Sequence, residues 1–68
     1  MEFPRTKYRL ENLKSRREDV RDWLQRNQDK SGDHRYIELI SDYRQEERIL
    51  ELVIELGQAL IDDLEKTI

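Results

Sequence analysis

Hydrophobic residues recur every three or four positions along both halves of the chain, which is the spacing of one face of an α-helix. In the first half this pattern predicts a helix over about residues 4–28. In the second half it predicts a longer helix over about residues 34–66. The polar segment between them predicts a turn at residues 29–33, where Gly32 can adopt a left-handed backbone and Asp33 can cap the second helix.

A connection of about five residues forces two consecutive helices to pack side by side in opposite directions. We therefore expect an all-α, antiparallel helical hairpin that forms one domain over residues 1–68. The expected seam positions of the first helix are Phe3, Thr6, Leu10, Leu13, Arg17, Val20, Leu24 and Asn27. Those of the second helix are Tyr36, Ile40, Tyr43, Glu47, Leu50, Ile54, Gly57, Ile61, Leu64 and Ile68.

The second helix carries more hydrophobic surface than a single neighbouring helix can cover. Leu50, Ile54 and Ile61 form the stripe that is expected to face the first helix, and a second hydrophobic stripe lies beside it. Since a helix buried on one side needs only one stripe, we expect a homodimer that closes a four-helix bundle or coiled coil. The expected oligomer interface consists of Ile49, Leu52, Val53, Leu56, Leu60, Leu64 and Ile68.

Two further features bear on this interface. The second helix is longer than the first, so Leu64 and Ile68 are expected to project beyond it and to need cover from another chain. Gly57 would let two backbones approach closely, although a glycine inside a helix costs about 1 kcal/mol relative to alanine. The alternative is that the same stripe docks on a different protein.

Each predicted seam is interrupted once by a charged residue, Arg17 in the first helix and Glu47 in the second. Folding the chain about residues 29–33 brings these two positions within one layer of each other. We therefore expect a partly buried ion pair that fixes the register of the hairpin. The alternative is that the long Arg17 side chain extends to water.

The net charge of −3 hides a division between the two halves. Residues 1–35 carry ten Lys and Arg against seven Asp and Glu, a balance of +3, whereas residues 36–68 carry three against nine, a balance of −6. Basic residues flank the first seam and acidic residues flank the second, so we expect much of the charge to pair inside the hairpin or across a dimer. The expected acidic partners include Glu46 and Glu51.

The chain offers little material for catalysis or for a cofactor. It has no cysteine, its one histidine is His34 in the predicted turn, and no Glu-x-x-His pair occurs, so neither a metal site nor a disulfide is expected. Residues 42–58 resemble the second helix of the all-helical chorismate mutases, with Asp42 and Glu46 at acidic positions of that family's site. The chain departs from the family at Gln45, where an arginine is needed, and it has no third helix. We therefore expect no enzyme activity.

The sequence instead favours a small protein that binds another protein. No apolar run approaches the ~20 residues that span a bilayer and no signal peptide is evident, so a cytoplasmic protein without membrane contact is expected. Short, charged, cysteine-free chains of this kind are typical of adaptors, subunits and phage-encoded inhibitors of host factors. The expected contacts with the unidentified partner lie on exposed faces and are Arg5, Tyr8, Glu11, Glu18, Asp19, Asp22, Asp62 and Asp63.

Nucleic-acid binding is the alternative function. In architecture the chain resembles the ROP-type plasmid regulators, dimeric helical hairpins that bind RNA, although no sequence motif is shared. In such a dimer the basic row Lys7, Lys14 and Arg21 would be doubled into one strip on the first helix. Phosphate contacts along this strip would give an affinity for RNA or DNA that falls steeply with salt.

Overall fold

The computed structural model describes residues 3–67 and contains two helices that pack against each other. Helix α1 runs over Pro4–Arg26, a short 3₁₀ turn covers Gln28–Lys30, and helix α2 runs over His34–Thr67. The predicted helical hairpin is confirmed, and α1 ends two residues earlier than expected. The described part of the chain is a rod 52 Å long and about 15 Å wide, so nearly every side chain lies close to solvent.

Side-chain caps explain where the two helices stop and start. The backbone N–H of Asn27 and its side-chain Nδ2 both donate to the carbonyl oxygen of Trp23, at 3.1 and 2.8 Å, which satisfies a terminal carbonyl of α1. At the start of α2, the Asp33 carboxylate accepts a hydrogen bond from the backbone N–H of Arg35 at 2.9 Å. The predicted capping role of Asp33 is confirmed.

The prediction of a left-handed backbone at Gly32 is wrong, because neither Gly32 nor Gly57 has a positive φ angle. The chain reverses instead through 3₁₀-type hydrogen bonds, from the N–H of Lys30 to the carbonyl of Asn27 at 3.0 Å and from the N–H of Ser31 to that of Gln28 at 3.3 Å. These bonds tighten the turn before it reaches the glycine, so a left-handed residue is not needed.

The core is a single line of aliphatic side chains between the helices. The residues that retain less than 8% of their surface are Leu10, Val20, Ile40, Leu50, Ile54 and Ile61, and all six occupy predicted seam positions. Leu13, Leu24 and Tyr43 are partly buried against this line. Thr6, which was expected in the seam, is exposed.

Gly57 permits a close approach between the two helices of one chain. A Cβ atom added to Gly57 would lie 3.1 Å from Cδ1 of Leu10, a buried core residue. This distance is shorter than an ordinary carbon–carbon contact of about 3.5–4.0 Å. The small residue that we expected to serve the contact between two copies therefore serves the packing of α1 on α2.

Candidate functional site

The most prominent surface of the hairpin is a hydrophobic strip on α2, which we call the exposed stripe. Its members all lie on the side of the helix that turns away from the core, and they leave between 44% and 65% of their surface in solvent. They are Ile49, Leu52, Val53, Leu56, Leu60 and Leu64. The stripe coincides with the predicted oligomer interface as far as the structure describes it, and Ile68 lies outside the described residues.

The reason why Leu64 is exposed differs from the one expected. Lys7 Nζ lies 2.6 Å from a carboxylate oxygen of Glu65, so the first turns of α1 reach the last turns of α2. Leu64 leaves 50% of its surface in solvent at a level of the rod that α1 also reaches. It is exposed because it faces away from α1, as the rest of the exposed stripe does.

An arginine–glutamate pair and two aromatic rings join α1 to α2 along one flank of the seam. Arg16 donates two hydrogen bonds to Glu46, from Nε at 2.6 Å and from a terminal nitrogen at 3.0 Å, a bidentate geometry. These bonds hold the pKa of Glu46 below its usual value and raise the pKa of Arg16. Trp23 and Tyr43 stack beside the pair, with ring centres 4.1 Å apart and planes 18° from parallel.

The opposite flank pairs the basic row of α1 with acids and amides of α2. Arg21 bridges two carboxylates one turn apart, Glu47 at 3.2 Å and Glu51 at 2.6 Å. The hydrogen bond to Glu51 raises the pKa of Arg21. Lys14 Nζ lies 3.0 Å from Glu11 and 3.4 Å from the amide oxygen of Gln58, and Lys7 pairs with Glu65. The basic row Lys7, Lys14 and Arg21, on which the alternative of nucleic-acid binding depends, therefore pairs with side chains of the hairpin itself.

The expected ion pair between Arg17 and Glu47 is wrong in one partner. Glu47 pairs with Arg21, whereas the closest carboxylate to Arg17 is that of Glu18, 3.9 Å from its Nε. The Arg17 Nε is buried and makes no hydrogen bond, although 23% of the side chain remains exposed. Arg21, on the flank of the seam, bridges two carboxylates while its side chain stays partly exposed to water. This arrangement avoids the desolvation cost of an ion pair inside the seam.

The expected partner-contact residues are all exposed, but they do not form one cluster. Arg5 and Tyr8 lie at the same end of the rod as Asp62 and Asp63, and Tyr8 leaves 69% of its surface in solvent. The remaining members extend along α1 toward the turn, where three of them pair with neighbouring basic residues. These pairs are Glu11 with Lys14, Glu18 with Arg21, and Asp22 with Arg26.

Two shallow clefts at the turn end of the rod are not predicted by the sequence pattern. They have volumes of about 390 and 510 Å³ and share one wall, formed by Ile40, Arg44 and Arg48 of α2. The larger cleft lies between this wall and α1, and its lining also includes Leu24 of α1 and Gln28 of the 3₁₀ turn. In the sequence, the only indication of this site is the spacing of Arg44 and Arg48, four residues apart. The shape of the clefts depends on how the two helices pack.

Within residues 3–67, no three His, Asp or Glu side chains gather closely enough to hold a metal ion. The described helices include none that is long and apolar enough to cross a membrane. Comparison of the chain with protein-family models, with curated proteins and with solved structures finds no match. The functional argument therefore depends on the surfaces themselves.

Proposed function

We propose that this protein is a homodimeric helical hairpin that acts without catalysis, by occupying the surface of another protein as an adaptor, subunit or inhibitor. The observation that supports the proposal most is the exposed stripe. Each of its six aliphatic residues leaves between 44% and 65% of its surface in solvent. An exposed hydrophobic patch made of several neighbouring aliphatic residues marks an interaction surface.

The spacing within the stripe is that of a coiled-coil seam. Ile49, Val53, Leu56 and Leu60 follow one another at intervals of four, three and four residues. This alternation places them in a straight line about 16 Å long along α2. Leu52 and Leu64 widen the line on its two sides. A second copy of the same helix presents the matching knobs and holes, so self-association uses the stripe without any further surface.

Charges at the ends of the stripe favour an antiparallel dimer. Asp63 follows the last seam position by three residues, and Glu46 precedes the first by three. A parallel dimer would place Asp63 beside its own copy, with two like charges in contact. An antiparallel dimer instead brings Asp63 toward Glu46 of the partner, whose charge Arg16 already balances. In an antiparallel dimer both copies of α1 also lie on the same side of the plane through the two α2 helices. The four helices then form one bundle.

Disulfide trapping tests the dimer and its sense, because the chain has no cysteine of its own. In a mixture of Ile49→Cys and Leu60→Cys chains, the antiparallel dimer is expected to give mainly the mixed disulfide. The two positions lie about 16 Å apart along the helix, whereas a disulfide needs Cα atoms within about 7 Å. Disulfides between identical chains would contradict the antiparallel sense, and absence of any trapped dimer would contradict association through the stripe.

In this dimer, the outer face of α1 stays available for the partner protein. Arg5 and Tyr8 are the candidates with the largest expected contribution, since arginine and tyrosine are enriched among residues that dominate binding energy. Tyr8 leaves 69% of its surface in solvent. Neither residue packs in the core, so both can be replaced without loss of the hairpin.

An affinity capture from the native host tests the partner-binding role. The wild-type dimer is expected to retain one protein at a stoichiometric level. A chain with Arg5→Ala and Tyr8→Ala is expected to lose at least about 90% of it, since truncation of two such anchors costs several kcal/mol. The matched control is Asn12→Ala with Ser15→Ala, on exposed positions of the same helix. Failure of the wild-type chain to retain any protein would contradict the proposal.

A further inference from the structure

We propose that the wall shared by the two clefts at the turn end binds an acidic segment of a partner protein. Arg44 and Arg48 receive its carboxylates, and Ile40, which lines both clefts, contacts one apolar side chain beside them. The inference rests on the proposed protein-binding function and names the chemistry of a partner. The cleft walls come from one chain, so this site does not need the dimer.

The charges of the wall are only partly balanced within the hairpin. Arg44 makes no ion pair with any of residues 3–67. Arg48 lies 3.9 Å from a carboxylate oxygen of Glu51, beyond hydrogen-bond distance, and the other Glu51 oxygen already accepts a hydrogen bond from Arg21 at 2.6 Å. Two arginines four residues apart on a helix repel each other. A bound carboxylate relieves this repulsion and can accept hydrogen bonds from both guanidinium groups.

The apolar part of the site lies next to these donors. Ile40 is 6% exposed and lines both clefts. Ile37 lines the smaller cleft and leaves 45% of its surface in solvent, and Leu24 of α1 lines the larger cleft. Gln28 adds an amide that can hydrogen-bond to a peptide backbone. A ligand with one apolar side chain close to an acidic one therefore matches the wall.

The same geometry disfavours a continuous polyanion. Glu47 and Glu51 line the larger cleft together with the two arginines. A nucleic-acid backbone carries a charge at every phosphate, so some phosphates would lie against these carboxylates. A peptide can place its acidic residues over Arg44 and Arg48 and an uncharged residue over the acids. We therefore assign the site to a protein segment.

Fluorescence anisotropy tests the site with a panel of fluorescein-labelled peptides that each combine two glutamates with one leucine, at spacings of one to four residues. Saturable binding is expected for the best peptide. The double substitution Arg44→Gln and Arg48→Gln is expected to raise the Kd at least about tenfold, because the charge-assisted hydrogen bonds are lost. The matched control is Arg9→Gln with Lys66→Gln, which removes two exposed positive charges at the other end of the rod.

The control is expected to change the Kd less than about twofold, since salt-screened attraction at a distance is weak. Equal weakening by both double substitutions would show attraction to net charge alone and would overturn the proposal. The proposal would also be overturned if no peptide of the panel bound, or if a single-stranded RNA of matched charge bound equally tightly. Sedimentation of the Arg44→Gln, Arg48→Gln chain measures the dimer separately. Anisotropy thus reports on the peptide site and sedimentation on the proposed dimer, so failure of one can be told apart from failure of the other.

Discussion

Replacement of Val53 and Leu56 by glutamate is expected to convert the proposed dimer to a monomer, with a rise in the dimer Kd of at least about 100-fold. The substitutions place four carboxylates per dimer in an apolar seam, and each buried charge without a partner costs several kcal/mol. They also remove the transfer free energy of two aliphatic side chains per chain, about 25 cal/mol per Å² of buried apolar surface. Sedimentation equilibrium at about 10 μM chain measures the change.

The hairpin itself is expected to survive this double substitution. Val53 and Leu56 leave 44% and 65% of their surface in solvent and do not belong to the core cluster. Glutamate also has a high helix propensity. The matched control is Asn12→Glu with Ser15→Glu, which adds the same charge on exposed positions of α1. The control chain is expected to remain dimeric.

The thermal midpoint of the wild-type chain provides a second test that does not depend on any substitution. Dissociation of a dimer on unfolding makes Tm rise with chain concentration. A Tm that is independent of concentration, together with a monomer mass at tens of micromolar, would contradict the proposed dimer. The exposed stripe would then have to be covered by a different protein.

The faces of the two helices could be predicted from the sequence, because a helical repeat determines which side chains share a side. Leu10, Val20, Leu50, Ile54 and Ile61 are buried as expected. The cap at Asp33 could also be predicted, because a carboxylate directly before a helix has one favourable role, acceptance of a backbone N–H. Both inferences depend on interactions within a few residues of the chain.

The axial offset between the helices could not be predicted from the same repeat. Glu47 pairs with Arg21 rather than with Arg17, which is a difference of four residues, about one helical turn. A seam pattern is unchanged by a shift of this kind, and the offset depends on the conformation of the turn and on the pairing of the flanks. The larger cleft beside Arg44 could not be predicted for this reason, since Leu24 and Gln25 of α1 form part of its second wall.

Replacement of Arg17 by leucine is expected to stabilise the protein by about 1 kcal/mol. The substitution removes a buried Nε that makes no hydrogen bond, and an unsatisfied buried polar group costs about 1–3 kcal/mol. It also makes the apolar seam of α1 continuous between Leu13 and Val20. For a domain of this size, 1 kcal/mol corresponds to a rise in Tm of about 4–8 °C. Differential scanning calorimetry at a fixed chain concentration measures it.

Arg21→Leu is the matched substitution one turn along the same helix, and its expected effect has the opposite sign. It leaves Glu47 and Glu51 without the guanidinium that bridges them, one turn apart on α2 and only about one-third exposed. The two carboxylates then repel each other, so Tm is expected to fall. A fall of similar size in both variants would mean that the Arg17 charge stabilises the seam. Opposite shifts would show instead that Arg21 fixes the register from the flank, while Arg17 only interrupts the core.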